Sequence, residues 1–307
     1  MTTHRNATAS AHGLRKASVW LGALLGVLAL ALGLGVQHAW AVTPAHGGTL
    51  LFTIPASDYP SMDGHQEETF ATVQAFAPFY SLLIRVDPTD TKAERIQGDL
   101  ATGWKVSNGG KTYTFPLHTG VTFHDGSPVT AKDVVASLEH FINPPAGVAS
   151  PRKSYYTEVE SVSAPNDHTV VIKLKFPTAA FIPALAQPYN FIYEAKLLAQ
   201  DANYYKNHEM GSGPFVLKSQ QIGANVVGER YPKYFRKGLP YLDGFEALYT
   251  PKENIEIEAL RGGRSMIQFR GFPPAAVQEL QKAMGDKLRV QQSPWNCSLY
   301  IIPNTFK

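Results

Sequence analysis

A single cysteine, Cys297, is present among 307 residues. No disulfide can close within the chain. Cys297 is therefore a free thiol, half of an intermolecular bond, or a residue whose partner lies outside this sequence. Excess charge is also missing. Arg5, Arg15 and Lys16 are the only charged residues of the first 41, and the rest of the chain balances 25 basic against 25 acidic side chains. That balance leaves no concentrated basic face for neutralising phosphates, so nucleic acid is excluded as a natural partner. Beyond residue 36 no apolar run is long enough to cross a membrane. Repeats, low-complexity tracts and linker-like stretches are absent.

Catalytic signatures are lacking as well. Gly110-Lys111-Thr112 ends like a phosphate-binding loop, but Lys105 stands where the first glycine belongs. Gly211-Ser212-Gly213 lacks the flanking glycines of a nucleophile elbow. His124-Asp125 and His208-Glu209 have no second histidine at ligand spacing, and a turn with a capping histidine accounts for the first pair. His65 reads as a satisfied surface histidine. For Tyr155, Tyr156 and Trp295 core packing is the default, with a ligand pocket as the alternative. The residues alone predict an exported, neutral α/β protein with no metal, no cofactor and no catalytic centre.

What is present begins with a leader. Three basic residues precede an uncharged stretch over 18–36, and Ala39-Trp40-Ala41 supplies small residues where a signal peptidase reads them. The pattern predicts a Sec-type signal peptide over 1–41, cleaved after Ala41, and a periplasmic location. An uncleaved membrane anchor is the alternative, since about 18 apolar residues can just span a bilayer.

Strands and helices then follow from periodicity. Residues 47–54 read as a buried strand stopped by Pro55. Phe70, Val73, Phe76, Tyr80 and Leu83 recur at helical spacing over 69–84, with Pro78 at a kink or a restart. Two short strands, 104–106 and 112–115, flank Ser107-Asn108-Gly109-Gly110, whose Asn-Gly suits a tight hairpin. Thr130 and Asp133 form a capping box for a helix whose apolar face is Val134, Val135, Leu138, Phe141 and Ile142. Val170, Ile172, Leu174 and Phe176 alternate with Lys173 and Lys175 in a half-buried strand. A helix is expected over 181–185, and strands over 215–218 and 221–230. Helices near 254–260 and 274–284 alternate with strands near 266–269, 288–292 and 298–302.

A resemblance goes further than these patterns. Leu100-Ala101-Thr102-Gly103-Trp104-Lys105-Val106-Ser107, Lys111-Thr112-Tyr113-Thr114-Phe115-Pro116-Leu117 and the run from Gly120-Val121-Thr122-Phe123-His124-Asp125-Gly126 through Asp133-Val134 resemble the signature of family-5 extracellular solute-binding proteins. Those are oligopeptide, dipeptide and nickel receptors of ABC importers. Met62-Asp63-Gly64-His65 is similar to the family's Leu-Asp-Pro-His, with Gly64 in place of proline. Gly211-Ser212-Gly213-Pro214-Phe215 and Arg230-Tyr231-Pro232-Lys233-Tyr234-Phe235 match later motifs, and Pro303-Asn304-Thr305 another, all in order. The resemblance implies a two-lobed α/β periplasmic-binding-protein fold (type II, with an extra inserted domain) whose second lobe is incomplete in this sequence. It places a first lobe at 42–85 and 177–250, an inserted small domain at 86–176, and the start of the second lobe at 251–307. Family members continue beyond the point where Lys307 stands.

The implied function is capture of a peptide or other small solute, without catalysis, for an ABC permease and its ATPase. The implied protein is monomeric when complete. An exported hydrolase on the same fold and a non-binding truncated remnant are the alternatives. Implied ligand contacts are Thr72 and Gln74, Tyr155 and Tyr156 in the inserted domain, and Arg270, Phe272 and Trp295 on the opposite lobe. Aromatic rings there would cradle side chains while Arg270 and backbone groups hold polar ends.

Overall fold

The computed structural model of the chain describes residues 44–90 and 92–291. The leader, Trp295, Cys297 and the strand expected at 298–302 lie outside the described residues. In chain order the elements are β1 (Thr49–Ile54), α1 (Phe70–Phe76), β2 (Ile84–Val86), β3 (Ile96–Gly98), β4 (Lys105–Ser107) and β5 (Thr112–Pro116). Next come α2 (Ala131–Ile142), β6 (Val159–Asn166), β7 (Thr169–Leu174), α3 (Phe181–Leu185) and α4 (Ala195–Gln200). The last are β8 (Phe215–Gln221), β9 (Asn225–Arg230), β10 (Gly244–Tyr249), α5 (Glu253–Arg261), β11 (Ile267–Gln268) and α6 (Pro274–Met284). Among the described residues, no helix is long and apolar enough to cross a membrane.

The strands form a five-stranded mixed sheet in the order β11-β1-β10-β9-β8, a four-stranded sheet β4-β5-β7-β6, and a β2-β3 ribbon. β1 runs parallel to both β10 and β11, while β10, β9 and β8 are antiparallel. Phe52 stands opposite Ile267 in that register. The stretch after residue 251, expected to open a second lobe, therefore first returns to the sheet of the first.

Local chemistry explains the four-stranded domain. Asn108, Gly109 and Gly110 all take positive φ (52°, 61° and 86°), which turns β4 back onto β5 in antiparallel register. The Asp133 carboxylate accepts from the Thr130 N–H at 2.7 Å and its hydroxyl at 2.8 Å, capping α2. Val134, Leu138 and Phe141 on α2 then bury against Phe115 and Phe123, and against Val170, Ile172 and Leu174 of β7. Phe181, Leu185 and Ile192 join the same core, so this packing unit extends past the expected boundary at 176. A second core gathers Phe52, Phe76, Phe79, Tyr193, Tyr205 and Phe245 around the five-stranded sheet.

Three expectations differ from the structure. The helix expected over 69–84 stops at Phe76, passes through a tight turn at Ala77–Phe79, and gives way to β2. Here the Phe79 carbonyl accepts the Gly213 N–H at 2.8 Å rather than an amide one turn ahead. Gly211 and Gly213 pass so close that a Cβ on either would collide with the Phe79 backbone. Phe176 is 53% exposed because β7 ends at Leu174. No strand forms over 288–291.

Candidate functional site

Parallel strands β1, β10 and β11 end on one edge of the larger sheet, the place where α/β sheets offer a crevice to ligands. The entry to α1 is fixed there, since the Tyr249 hydroxyl at the end of β10 donates to the Ala71 carbonyl at 2.8 Å. Phe70, the first residue of α1, is 40% exposed, and the Arg270 guanidinium lies 5.4 Å from its ring centroid. Phe269 is also largely exposed and packs edge-on against Phe52 at 5.3 Å. Gln74 stands one turn after Phe70 and so shares its face of α1. Its Oε1 is buried and has no hydrogen-bond partner among the described residues. A buried carbonyl oxygen without a donor costs about 1–3 kcal/mol.

α5 carries a second buried polar group, close enough to Arg270 to feel its charge. Glu256 is buried, and its carboxyl pKa is raised chiefly by that burial. Its Oε2 accepts from the Gln268 side chain at 3.4 Å, and the Thr53 hydroxyl lies close enough to help stabilise the carboxylate.

The loop at 150–156 packs against the segment that precedes α1. Arg152 is nearly buried there, and the loss of water lowers its pKa. One guanidinium nitrogen donates to the Glu67 carbonyl at 2.6 Å and another to the Gly64 and His65 carbonyls, while the group lies 4.5 Å over the Tyr189 ring. Ala149 N–H donates to Gln66 Oε1 at 3.1 Å, and the Tyr189 hydroxyl donates to the Glu68 carbonyl at 2.9 Å. The loop is thus clamped to the segment that leads into Thr69, the N-cap of α1.

The expected contact residues divide on burial. Arg270 and Gln74 flank Phe70, and Tyr155, half exposed, rides on the clamped loop. Phe272 is partly buried beyond Arg270, and Trp295 lies outside the described residues. Thr72 and Tyr156 point inward instead. The Thr72 hydroxyl donates to the Ser61 carbonyl at 2.8 Å. Tyr156 donates to the Ala184 carbonyl at 2.8 Å, accepts from Asn190 and packs on Phe141, so it serves the core. His65, expected on the surface, is fully buried. His124 pairs with Glu209 at 2.8 Å across from the Asp125-Gly126 turn. Phe70, Phe269 and Arg152 were not anticipated as site residues. The four-residue spacing of Phe70 and Gln74 is the signal that would have found the first.

Comparison with known proteins identifies the family and the fold. The sequence profile of the bacterial extracellular solute-binding proteins, family 5, in its middle region, matches residues 95–306. The glutathione-binding protein GsiB of Pectobacterium atrosepticum is 28% identical over 270 residues, covering 88% of this chain and 51% of that protein. The probable di/tripeptide-binding protein 5 of Pseudomonas aeruginosa is 29% identical, covering 85% of this chain and 52% of that one. The chain thus spans about half the length of the curated relatives it matches. Among solved structures, the periplasmic binding protein DppA of Helicobacter pylori in complex with a peptide superposes with a TM-score of 0.67 at 26% identity. That match covers 78% of this chain and 49% of DppA. OppA of Haemophilus influenzae, at 21% identity and a TM-score of 0.70 over 80% of this chain and 50% of its own, shares the fold.

Proposed function

The chain belongs to the bacterial extracellular solute-binding proteins, family 5, and from that premise we propose that it captures a peptide or related small solute for an ABC importer. Binding takes place outside the cytoplasmic membrane after export by the 1–41 leader, and the loaded receptor docks on a membrane permease. No bond in the solute is broken. The observation that carries this reading is the trio at the strand ends: an exposed aromatic ring on Phe70, the Arg270 cation over it, and the unpartnered Gln74 oxygen beside it. Arg270 suits a carboxylate, Gln74 an amide or ammonium N–H, and Phe70, Phe269 and Tyr155 the apolar parts of a side chain. The relatives named for glutathione and for di- and tripeptides carry ligands of that composition.

Calorimetric titration of the chain with dipeptides, tripeptides and glutathione tests the reading. Arg270→Ala and Gln74→Ala should each weaken binding about tenfold or more, equivalent to about 1.4 kcal/mol, with melting temperature unchanged or, for Gln74→Ala, slightly raised. The recovered peptide should be intact. Undiminished binding in both variants would overturn the assignment of the site, and hydrolysed peptide would overturn the receptor role.

A further inference from the structure

His65 comes from the loop before α1 and His140 from the last turn of α2, and both are buried. His65 Nε2 lies 2.7 Å from the Phe191 carbonyl oxygen, and His140 Nε2 lies 2.8 Å from that of Ala202. The two Nδ1 atoms face each other at 2.9 Å. A carbonyl oxygen only accepts, so each Nε2 must carry a hydrogen. The Nδ1–Nδ1 contact needs a hydrogen of its own. Three contacts require three protons, whereas two neutral imidazoles own two. Among the described residues no third histidine, cysteine or carboxylate joins the two rings in a metal-holding group.

We propose that His65 and His140 share one extra proton, and that this buried pair is a pH-sensitive latch joining the 61–67 loop to α2 and to the chain at 191–202.

The surroundings supply the counter-charge. Asp63 Oδ1 accepts the His65 backbone N–H and the Tyr193 hydroxyl, each at 2.8 Å, and Oδ2 accepts from Gln66. From the 150–156 loop Arg152 faces the His65 carbonyl at 3.3 Å. From the 191–205 stretch the Tyr193 ring lies 4.2 Å from His65, tilted by 38°, its hydroxyl pKa pushed up by burial and then by Asp63. Tyr205 lies stacked on Tyr193, and Asp201 adjoins Ala202. On α2 itself the charged neighbour is Glu139, which accepts from Asn143.

The pair titrates as a unit. Burial, then the adjacent His140, hold the His65 pKa well below 6.5 against the opposing bond to the Phe191 carbonyl, which disfavours a second charge beside the shared one. Below pH about 6.5 the unfolded rings take up protons that the native pair does not, and stability falls with falling pH. Above that pH the native pair keeps one proton more than two unfolded neutral rings. Stability then falls as pH rises through release of the shared proton, by up to about tenfold in the folding constant per pH unit.

Urea unfolding of the full chain between pH 5.5 and 9, for wild type and His140→Asn, tests the latch. Asparagine can present an amide N–H near the position of Nδ1, donating to His65 without a titrating proton. The bond to Ala202 is lost, but at a pH-independent cost. The wild-type folding constant should fall relative to the variant by up to about tenfold per pH unit on the alkaline side. Parallel profiles would overturn the proposal. Nitrogen-15 spectra of the wild-type imidazoles at pH 7.5 require no variant and should show three N–H groups on these two rings. Two neutral rings there would overturn the proposal even if His140→Asn did not fold.

Discussion

Replacing Gly64 by proline would restore the residue that similar proteins carry in their Leu-Asp-Pro-His stretch, yet it should weaken this one. A Cβ at Gly64 would stand 2.5 Å from Cδ2 and Cε2 of Phe191 and 3.0 Å from the Tyr189 carbonyl oxygen. Carbon atoms pack comfortably at about 3.5–4.0 Å. Phe191 is buried and stacked on Tyr80 with centroids 4.5 Å apart and planes 10° from parallel, so it has little room to withdraw. Proline would also remove the N–H that donates to the Tyr193 hydroxyl at 3.0 Å. Overpacking of this kind costs about 1–3 kcal/mol, and the lost hydrogen bond about 1 kcal/mol. The stiffer unfolded chain offsets about 0.4–1 kcal/mol. The net expectation is a loss of about 2–3 kcal/mol, read as a melting point roughly 5–10 °C lower. Urea unfolding followed by fluorescence, with scanning calorimetry alongside, measures it. Gly64→Ala separates the two causes, because it adds the Cβ but keeps the N–H. A proline variant as stable as wild type would refute the packing account.

Arg152→Ala should cost about 2–4 kcal/mol in urea unfolding, since three carbonyl oxygens lose their donor. Arg152→Lys should recover little of it, because an ammonium cannot reproduce the guanidinium fork. Glu256→Gln should stabilise the protein at pH 7: with its folded pKa raised above the unfolded value, Glu256 makes the native state less stable as pH rises from about 4.5 upward. The advantage of the glutamine variant should vanish in calorimetric scans below pH about 4.5. Asp133→Ala should cost about 2 kcal/mol, because Oδ2 caps α2 and Oδ1 accepts the Ala195 N–H at 2.9 Å. Chemical denaturation detects it as a shifted midpoint.

Much of the small domain was legible in the residues. Asn108-Gly109-Gly110 fixes its own turn, Thr130 and Asp133 cap their own helix, and the alternation of Val170, Ile172 and Leu174 sets which face of β7 is buried. Each depends on neighbours within a few positions, so a linear reading suffices. The helix at Pro274–Met284 was legible for the same reason. The face proposed for the ligand was legible only in part. Gln74 and Arg270 stand at the strand ends, but the local pattern around Thr72 and Tyr156 does not say that Ser61 and Ala184 will take their hydroxyls.

Tertiary structure decided the rest. Nothing near Phe79 announces that Gly213 will claim its carbonyl and end the helix early. Nothing near Thr49–Ile54 announces that strands beginning at Gly244 and Ile267 will flank it. His65 looked like a surface histidine because its partner, His140, is supplied by a helix 75 residues away. Turns and caps are settled by backbone sterics and hydrogen bonds over short spans. Strand order, burial and the pairing of polar groups depend on which distant segments reach the same place, and only the packed core settles that.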